Sequence, residues 1–150
     1  MKIINQISAG GIVYKKPSLT TNYKLPTTNY LWLICQHSEH KGWVFPKGFV
    51  GDVNKNESNE TAALREVEEE GGIKTKIINK KPIETYYEFK LKGTLFKKTV
   101  FYFLMEYVSG DPKDHDWEMS DAKFVTEDEV KKILTYPSDR KAFEKILQEL

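Results

Sequence analysis

Apolar and polar positions alternate along most of the chain in short runs that predict strands. The longest apolar runs, Tyr30 to Cys35 and Val100 to Met105, are far shorter than the roughly 18–20 residues that cross a bilayer, so they indicate buried strands. Lys92-Gly93 is a two-residue turn signal, and its flanks predict a long hairpin over Ile83 to Leu91 and Thr94 to Val108. Shorter strands are predicted at Gln6 to Lys15, Thr75 to Asn79 and Ala122 to Val125.

Three helices are also predicted. Strong helix formers extend from Ser58 to the Gly71-Gly72 stop signal. Thr126 and Glu129 have capping-box spacing at the start of a short helix, and Ser138 is the expected N-cap of a final helix. Polar segments predict loops or irregular structure at Pro17 to Asn29, Ser38 to Asn56 and Ser109 to Asp121. The mixture indicates an α/β domain with helices packed on a sheet.

Composition and net charge exclude some classes of function for this chain. The 150 residues have the size of one domain, so we expect residues 1–150 to form a single unit. Lys and Arg number 23 and Asp and Glu number 22, so no global basic field would recruit nucleic acid or an anionic membrane. Cys35 is the only cysteine, and polar residues interrupt the N-terminus before a signal-peptide core can form. We therefore expect a cytoplasmic protein, either a monomer or a homodimer.

Glutamates concentrate in the first predicted helix. At 100° per residue, Glu66, Glu69 and Glu70 lie on one stripe, while Leu64 and Val67 lie on another that can pack against the sheet. Three carboxylates on one face repel each other unless a cation lies between them. Oxygen-rich clusters suit hard divalent cations such as Mg²⁺ or Mn²⁺. A solvated acidic face is the alternative interpretation of the same stripe.

The spacing around this helix favours the metal-site interpretation. Gly51 is followed after five residues by Glu57, and after seven more by the segment Arg65 to Ile73. This arrangement resembles the Nudix box, G-x5-E-x7-R-E-U-x-E-E-x-G-U, where U is aliphatic, and every specified position matches. A chance match is on the order of one in a billion per starting position at ordinary residue frequencies. The glycine of Pro-Lys-Gly usually opens the box, whereas here Gly48 precedes Gly51 by three residues, so either glycine could hold that position.

Further segments are similar to the Nudix subgroup that hydrolyses diadenosine polyphosphates. The resemblance implies a Nudix α/β/α sandwich with a mixed β-sheet and the catalytic helix packed on it. It also implies Mg²⁺- or Mn²⁺-dependent hydrolysis of a nucleoside diphosphate linked to another group, first of all diadenosine tetraphosphate to ATP and AMP. Alternatives are a diphosphoinositol polyphosphate, an RNA 5′ end, a nucleotide sugar, or a non-catalytic binding module. The segments similar to the subgroup are Ser8 to Tyr14, Leu31 to Cys35 and Trp43 to Gly48, and Ala122 to Leu134 resembles the last strand and helix of the Nudix family.

The same resemblance implies roles for individual acidic residues. Glu66, Glu69 and Glu70 are the expected metal ligands, with Glu57 completing the cluster and Arg65 orienting a carboxylate. The general base that activates water would be Glu69, Glu70 or an acidic residue from the loop before the last strand. In that loop Glu118 is the first choice, and the other candidates are His115, Asp116 and Asp121.

The expected partner is a small-molecule nucleotide. Lys47, followed by Gly48, is expected to meet a substrate phosphate. Base recognition needs an aromatic face, for which the resemblance suggests Tyr102, while Tyr86 and Tyr87 point to opposite faces of their strand. We therefore assign Lys47, Gly48, Tyr87 and Tyr102 to substrate binding as predictions.

Overall fold

The computed structural model describes residues 1–17, 29–51 and 55–150. Most of the predicted loop between Pro17 and Asn29 therefore lies outside the described residues. The elements in chain order are β1 (Lys2–Lys15), β2 (Leu31–His37), β3 (Trp43–Val44), β4 (Lys47–Phe49), α1 (Asn59–Gly71), β5 (Ile73–Ile77), β6 (Ile83–Leu91), β7 (Thr94–Gly110), β8 (Met119–Thr126), α2 (Glu127–Ile133) and α3 (Pro137–Glu149). A short 3₁₀ turn, Pro112–Asp114, precedes β8.

The strands of the described residues pair into one mixed sheet around β1 and β7. These two strands are parallel, in a register that starts with Lys2 opposite Thr94 and continues to Tyr14 opposite Glu106. The first part of β7 pairs with β6 and the last part with β5, both antiparallel. On the other side of β1 lies β2, which also pairs with β3 and β8. The predicted hairpin is confirmed, since β6 and β7 flank Lys92-Gly93.

Helices cover both faces of this sheet. On one face, Ala62, Ala63 and Val67 of α1 belong to a buried cluster with Leu33 and Phe103 of the sheet. On the other face, α2 and α3 pack against a second buried cluster that contains Trp32 and Tyr102. Burial of two apolar sheet faces by helices gives three layers. The predicted α/β/α sandwich with a mixed sheet is confirmed.

Several elements differ from the sequence prediction, and three of these differences have a clear physical reason. β1 begins at Lys2 rather than Gln6, because its parallel pairing with β7 extends to the N-terminus. Two short strands, β3 and β4, interrupt the segment predicted as mostly irregular. The predicted cap at Ser138 is wrong: α3 starts at Pro137 after Tyr136, with no side-chain cap. Proline suits the first helical position because its missing N–H would have no helical partner there.

No helix in the described part of the chain is long and apolar enough to span a membrane. The cytoplasmic location and the oligomeric state stay predictions from the sequence.

Candidate active site

A cavity of about 1250 Å³ lies where β4, α1, the hairpin, the segment before β8 and the start of α3 meet. Acidic, basic and aromatic side chains share its wall. The wall includes Lys47, Gly48, Glu66, Glu69, Glu70, Tyr87, Lys98, Glu118, Tyr136 and Asp139. The cavity therefore gathers side chains that are far apart in the sequence.

Two glutamates of α1 are buried in the wall of this cavity. Glu66 and Glu70 are each 5% exposed and lie one helical turn apart, on the side of α1 that faces the sheet. The pKa of Glu70 is raised to about 9 and that of Glu66 to about 7, mainly by burial, and the negative charge of Glu118 is a smaller contribution to both shifts. The backbone N–H of Lys47 donates to Glu70 Oε2 over 2.9 Å and opposes part of this shift.

Gly48 makes room for one of these carboxylates. A Cβ atom on Gly48 would lie 2.1 Å from Cδ of Glu66, so an unshifted side chain cannot be added there. Gly51 acts differently, because it has a φ of 82° and its N–H donates to Glu57 Oε1 over 3.2 Å. The glycine that lies against the helix carboxylate is thus Gly48. Residues 52–54, between Gly51 and Glu57, lie outside the described residues.

Arg65 connects three of the predicted metal-site glutamates. Its Nε and Nη2 donate to both oxygens of Glu57, over 2.8 and 2.9 Å. Its Nη1 donates to Glu66 over 2.8 Å and to Glu69 over 3.3 Å. The guanidinium lowers the pKa of Glu57, while the Arg65 pKa is itself raised. Such a fork holds Glu57 and Glu66 in fixed orientations, as predicted for Arg65.

The loop before β8 brings one of its acidic candidates to the cavity. Asp116 N–H donates to the backbone oxygen of Glu69 over 2.8 Å, which ties the loop to α1. The Asp116 carboxylate in turn accepts from the N–H of Glu118 over 3.1 Å. Only Glu118 among the four candidates of this loop is part of the described cavity wall; His115, Asp116 and Asp121 are not. Asp116 instead connects the loop to α1 and to the backbone of Glu118.

The acidic residues fit a divalent cation by their chemistry. No three His, Cys, Asp or Glu side chains among the described residues converge at metal-ligand spacing. Yet Glu66, Glu69, Glu70 and Glu118 offer only oxygen atoms to the same cavity, the donor type that Mg²⁺ and Mn²⁺ prefer. Burial raises the pKa of Glu66 and Glu70 because it disfavours their charged forms, and a bound cation would favour those forms.

One predicted substrate contact is wrong. Tyr102 is fully buried, its ring lies 5.8 Å from that of Phe45 in a T-shaped arrangement, and its hydroxyl donates to Asp139 Oδ1 over 2.7 Å. No ring face is left for a base to stack on. Alternation along β7 turns Tyr102 toward the core under α3, where packing decides its role.

Other aromatic and basic side chains line the cavity, whereas Tyr102 does not. Tyr87 is half-buried in the cavity wall, and Lys98 Nζ lies 5.7 Å from its ring centroid. Tyr136 is 39% exposed, and its hydroxyl lies 3.1 Å from Nδ1 of His40. The sequence reasoning included Tyr87 and missed Tyr136. No local signal marks Tyr136, because it precedes α3 and reaches the cavity only through tertiary packing.

Comparison with known proteins agrees with this geometry. Residues 23–146 match the model of the NUDIX domain. The chain belongs to the Nudix family. A curated relative, mutator protein MutT4 of Mycobacterium tuberculosis, is 27% identical over 147 residues that cover 96% of this chain and 55% of the relative. The chain thus spans about half the length of that relative.

Solved structures of Nudix proteins share the fold. An Ap4A hydrolase of C. elegans, in a binary complex, superposes with a TM-score of 0.69 at 23% identity, covering 96% of both chains. The E. coli dihydroneopterin triphosphate pyrophosphohydrolase gives a TM-score of 0.64 at 16% identity and covers 98% of this chain and 99% of that chain. The predicted family and fold class are confirmed.

Proposed function

We propose that this Nudix domain hydrolyses dinucleoside polyphosphates, with diadenosine tetraphosphate converted to ATP and AMP. The observation that carries the proposal is that one cavity combines carboxylates, lysines and aromatic side chains. Its lysines suit a long phosphate chain and its aromatic faces suit a base. The C. elegans protein with the same fold is named an Ap4A hydrolase, and this supports the proposed substrate.

The acidic part of the cavity would hold Mg²⁺ or Mn²⁺ through Glu66, Glu69, Glu70 and Glu118. When bound, the ion would neutralise charge on the phosphate oxygens and lower the pKa of water. The intact box disfavours a non-catalytic binding module, because each of its glutamates is retained and Arg65 orients two of them.

The protein itself supplies proton transfer and orientation. Attack by a water oxygen on phosphorus forms one P–O bond and breaks the anhydride P–O bond, and a base must take the water proton. Glu69 is our candidate, since its side chain is 46% exposed, lines the cavity and has only a long contact of 3.3 Å with Arg65. Glu118 lines the same wall and is the second candidate.

Cationic side chains would bind the phosphate chain. Lys47 and Lys98 line the cavity, and α3 adds Lys141 and Lys145 to the same wall. An ammonium group binds phosphate oxygens as a point charge and adapts to different chain positions. We assign Lys47 to the phosphates nearest α1, because its backbone is already bonded to Glu70.

Aromatic faces favour a nucleoside over an inositol. Tyr87 and Tyr136 both line the cavity, and base stacking on such rings is worth roughly 1–3 kcal/mol. An inositol polyphosphate offers no flat face to either ring. Tyr87 and Tyr136 therefore replace Tyr102 as the proposed base contacts.

A substrate panel with Mg²⁺ and product identification tests the proposal. It would include diadenosine tetraphosphate, a diphosphoinositol polyphosphate, capped RNA and a nucleotide sugar. We expect the highest kcat/KM for the dinucleotide, and we expect Tyr87→Leu and Tyr136→Leu to raise KM on it. Preference for another member of the panel, with both leucine variants silent, would contradict the substrate assignment and leave the family unchanged.

A further inference from the structure

Two phenylalanines that the proposed reaction does not use lie in the cavity wall with their rings partly open to solvent. Phe49, at the end of β4, is 43% exposed, and Phe89, on β6, is 40% exposed. Scattered exposed apolar side chains are ordinary on protein surfaces, whereas apolar rings gathered in a cavity wall indicate contact with a ligand. We name Phe49, Phe89 and the adjoining Phe96 the outer aromatic site.

Neighbouring rings hold the ring of Phe89 in place. It lies 4.9 Å from the ring of Phe96 on the paired strand, at an interplanar angle of 11°, and 6.3 Å from the ring of Tyr87. A flat group between two rings needs about 7 Å between them, because each ring contact takes about 3.5 Å. Neither distance leaves such a gap. A ligand ring would therefore stack on the exposed surface of Phe89 rather than enter between the rings.

Toward the hairpin turn, this face of the sheet changes from charged to apolar. Lys98 and Phe96 are two residues apart on β7, so they lie on the same face, with Phe96 closer to the turn. Phe96 is opposite Phe89 on one side and Ile4 on the other, which makes an apolar row across three strands. The Lys98 ammonium nitrogen lies 5.2 Å from the ring centroid of Phe49. A ligand that extends toward the turn thus meets a cation first and uncharged rings after it.

This order of charge and rings matches one end of a dinucleoside polyphosphate. The last phosphate would meet the ammonium group of Lys98, and the uncharged base beyond it would reach the exposed rings of Phe49 and Phe89. A polynucleotide would have to place a further phosphate beyond that base, in the apolar row of Ile4, Phe96 and Phe89. A charged group in such surroundings is costly unless it is paired. A nucleoside that ends the ligand is therefore the occupant that fits.

We propose that the outer aromatic site binds the second nucleoside of a dinucleoside polyphosphate by stacking against its base. The inference rests on the proposed function, because only a substrate of that kind has a second nucleoside. Tyr87 and Tyr136 remain the proposed contacts of the first base, and the flexible phosphate chain joins the two nucleosides. Stacking on a ring accepts any base, since every base has a flat face. The site therefore adds affinity for a dinucleotide without selecting which base ends it.

The experiment measures hydrolysis of diadenosine tetraphosphate and of adenosine 5′-tetraphosphate, which has the same phosphate chain but one nucleoside, in Mg²⁺ at pH 8. Phe89→Leu keeps an apolar side chain and removes the flat ring. We expect it to lower kcat/KM on the dinucleotide about five- to tenfold, mainly through KM, since the contact is remote from the reacting phosphorus. The value for adenosine tetraphosphate should stay within about twofold of the wild type. Phe89→Tyr retains a ring and is the matched control, so it should keep the wild-type ratio of the two substrates.

Each outcome bears on one claim. An unchanged ratio of the two substrates in Phe89→Leu would overturn the second-nucleoside site, while hydrolysis of the dinucleotide still supports the proposed function. Sedimentation tests a second copy of the chain as the other occupant: a wild-type dimer that becomes a monomer in Phe89→Leu would overturn the proposal. If diadenosine tetraphosphate is not hydrolysed, the proposed function fails. Calorimetric affinities for the two tetraphosphates then decide the inference: a loss in Phe89→Leu confined to the dinucleotide supports it, and equal changes overturn it.

Discussion

At the scale of single residues, the acidic site requires that position 48 has no side chain. The Glu66 carboxylate occupies the space that a side chain at Gly48 would fill, at 2.1 Å from the ideal Cβ position. Gly48 belongs to β4 and pairs with Ala9 of β1, so the sheet holds its backbone in place. Gly48 is therefore required for packing against a functional group, whereas Gly51 is the glycine with the positive φ.

Gly48→Ala should displace the Glu66 carboxylate and reduce kcat about 10- to 100-fold, as loss of a supporting contact does in metal sites. Steady-state kinetics on diadenosine tetraphosphate measures the effect. Because the alanine would act through Glu66, adding it to Glu66→Gln should cause little further loss. Additive losses in the double variant would show that Gly48 acts elsewhere.

Arg65→Lys tests whether Arg65 acts by orienting the Glu57 and Glu66 carboxylates or only by its positive charge. Lysine keeps the positive charge but cannot reach both oxygens of Glu57 and also Glu66 as the guanidinium does. We expect activity to fall about 10- to 100-fold. Arg140→Lys is the control, since Arg140 bonds the backbone oxygen of Leu134 outside the cavity wall. Equal activity of Arg65→Lys and the wild type would contradict the orienting role.

The raised pKa of Glu70, about 9, gives the metal-free protein a pH-dependent stability. Between the unfolded value, about 4.3, and the folded value, the native state binds more protons than the unfolded state. Stability from this group therefore falls as pH rises from about 5 to 9. We expect the metal-free Tm to decline over this interval and Mg²⁺ to restore it at pH 8. Glu70→Gln should flatten the decline, whereas the exposed Glu68→Gln should not.

At the scale of elements, the ends of α1 position the site, and the sequence predicts both. Ser58 accepts from the N–H of Thr61 at the start, and Gly72 ends the helix with a φ of 73°. These are local signals, so the helix could be predicted almost to the residue. The start of β1 at Lys2 and the N-terminus of α3 depend on long-range pairing and packing. Local patterns carry no information about them.

Gly72 also touches the loop that carries Glu118. A Cβ atom there would lie 2.7 Å from the backbone oxygen of Asp111 and 2.7 Å from the backbone nitrogen of His115. Gly72→Ala should therefore lower stability by more than about 1 kcal/mol and also lower kcat by moving the loop. Gly93→Ala has the same kind of positive φ, 78°, but open space around it, so it should lose stability alone. Thermal unfolding measurements together with steady-state kinetics distinguish the two variants. Equal kcat values for Gly72→Ala and Gly93→Ala would refute the link between Gly72 and Glu118.

At the scale of the whole molecule, the cavity joins residues from β4, α1, β6, β7, the loop before β8 and α3. The Nudix box predicted the carboxylate part, because its residues lie close together in the sequence. Tyr136 and Asp139 reach the cavity through packing of α3 on the hairpin, which no spacing in the sequence reveals. Tyr102 is the reverse case. It was predicted to contact the base and lies on β7, which does reach the cavity, but its side chain is buried in the core.

The most direct test of the account follows AMP and ATP release from diadenosine tetraphosphate, in Mg²⁺ and in excess EDTA, for the wild type, Glu70→Gln and Glu68→Gln. For the wild type we predict equimolar ATP and AMP in Mg²⁺ and no turnover in EDTA. The turnover rate should fall by several orders of magnitude in Glu70→Gln. It should stay near the wild-type rate in Glu68→Gln, because Glu68 lies outside the cavity wall. Turnover in EDTA, two molecules of ADP as product, or equal rates in the two glutamine variants would contradict it.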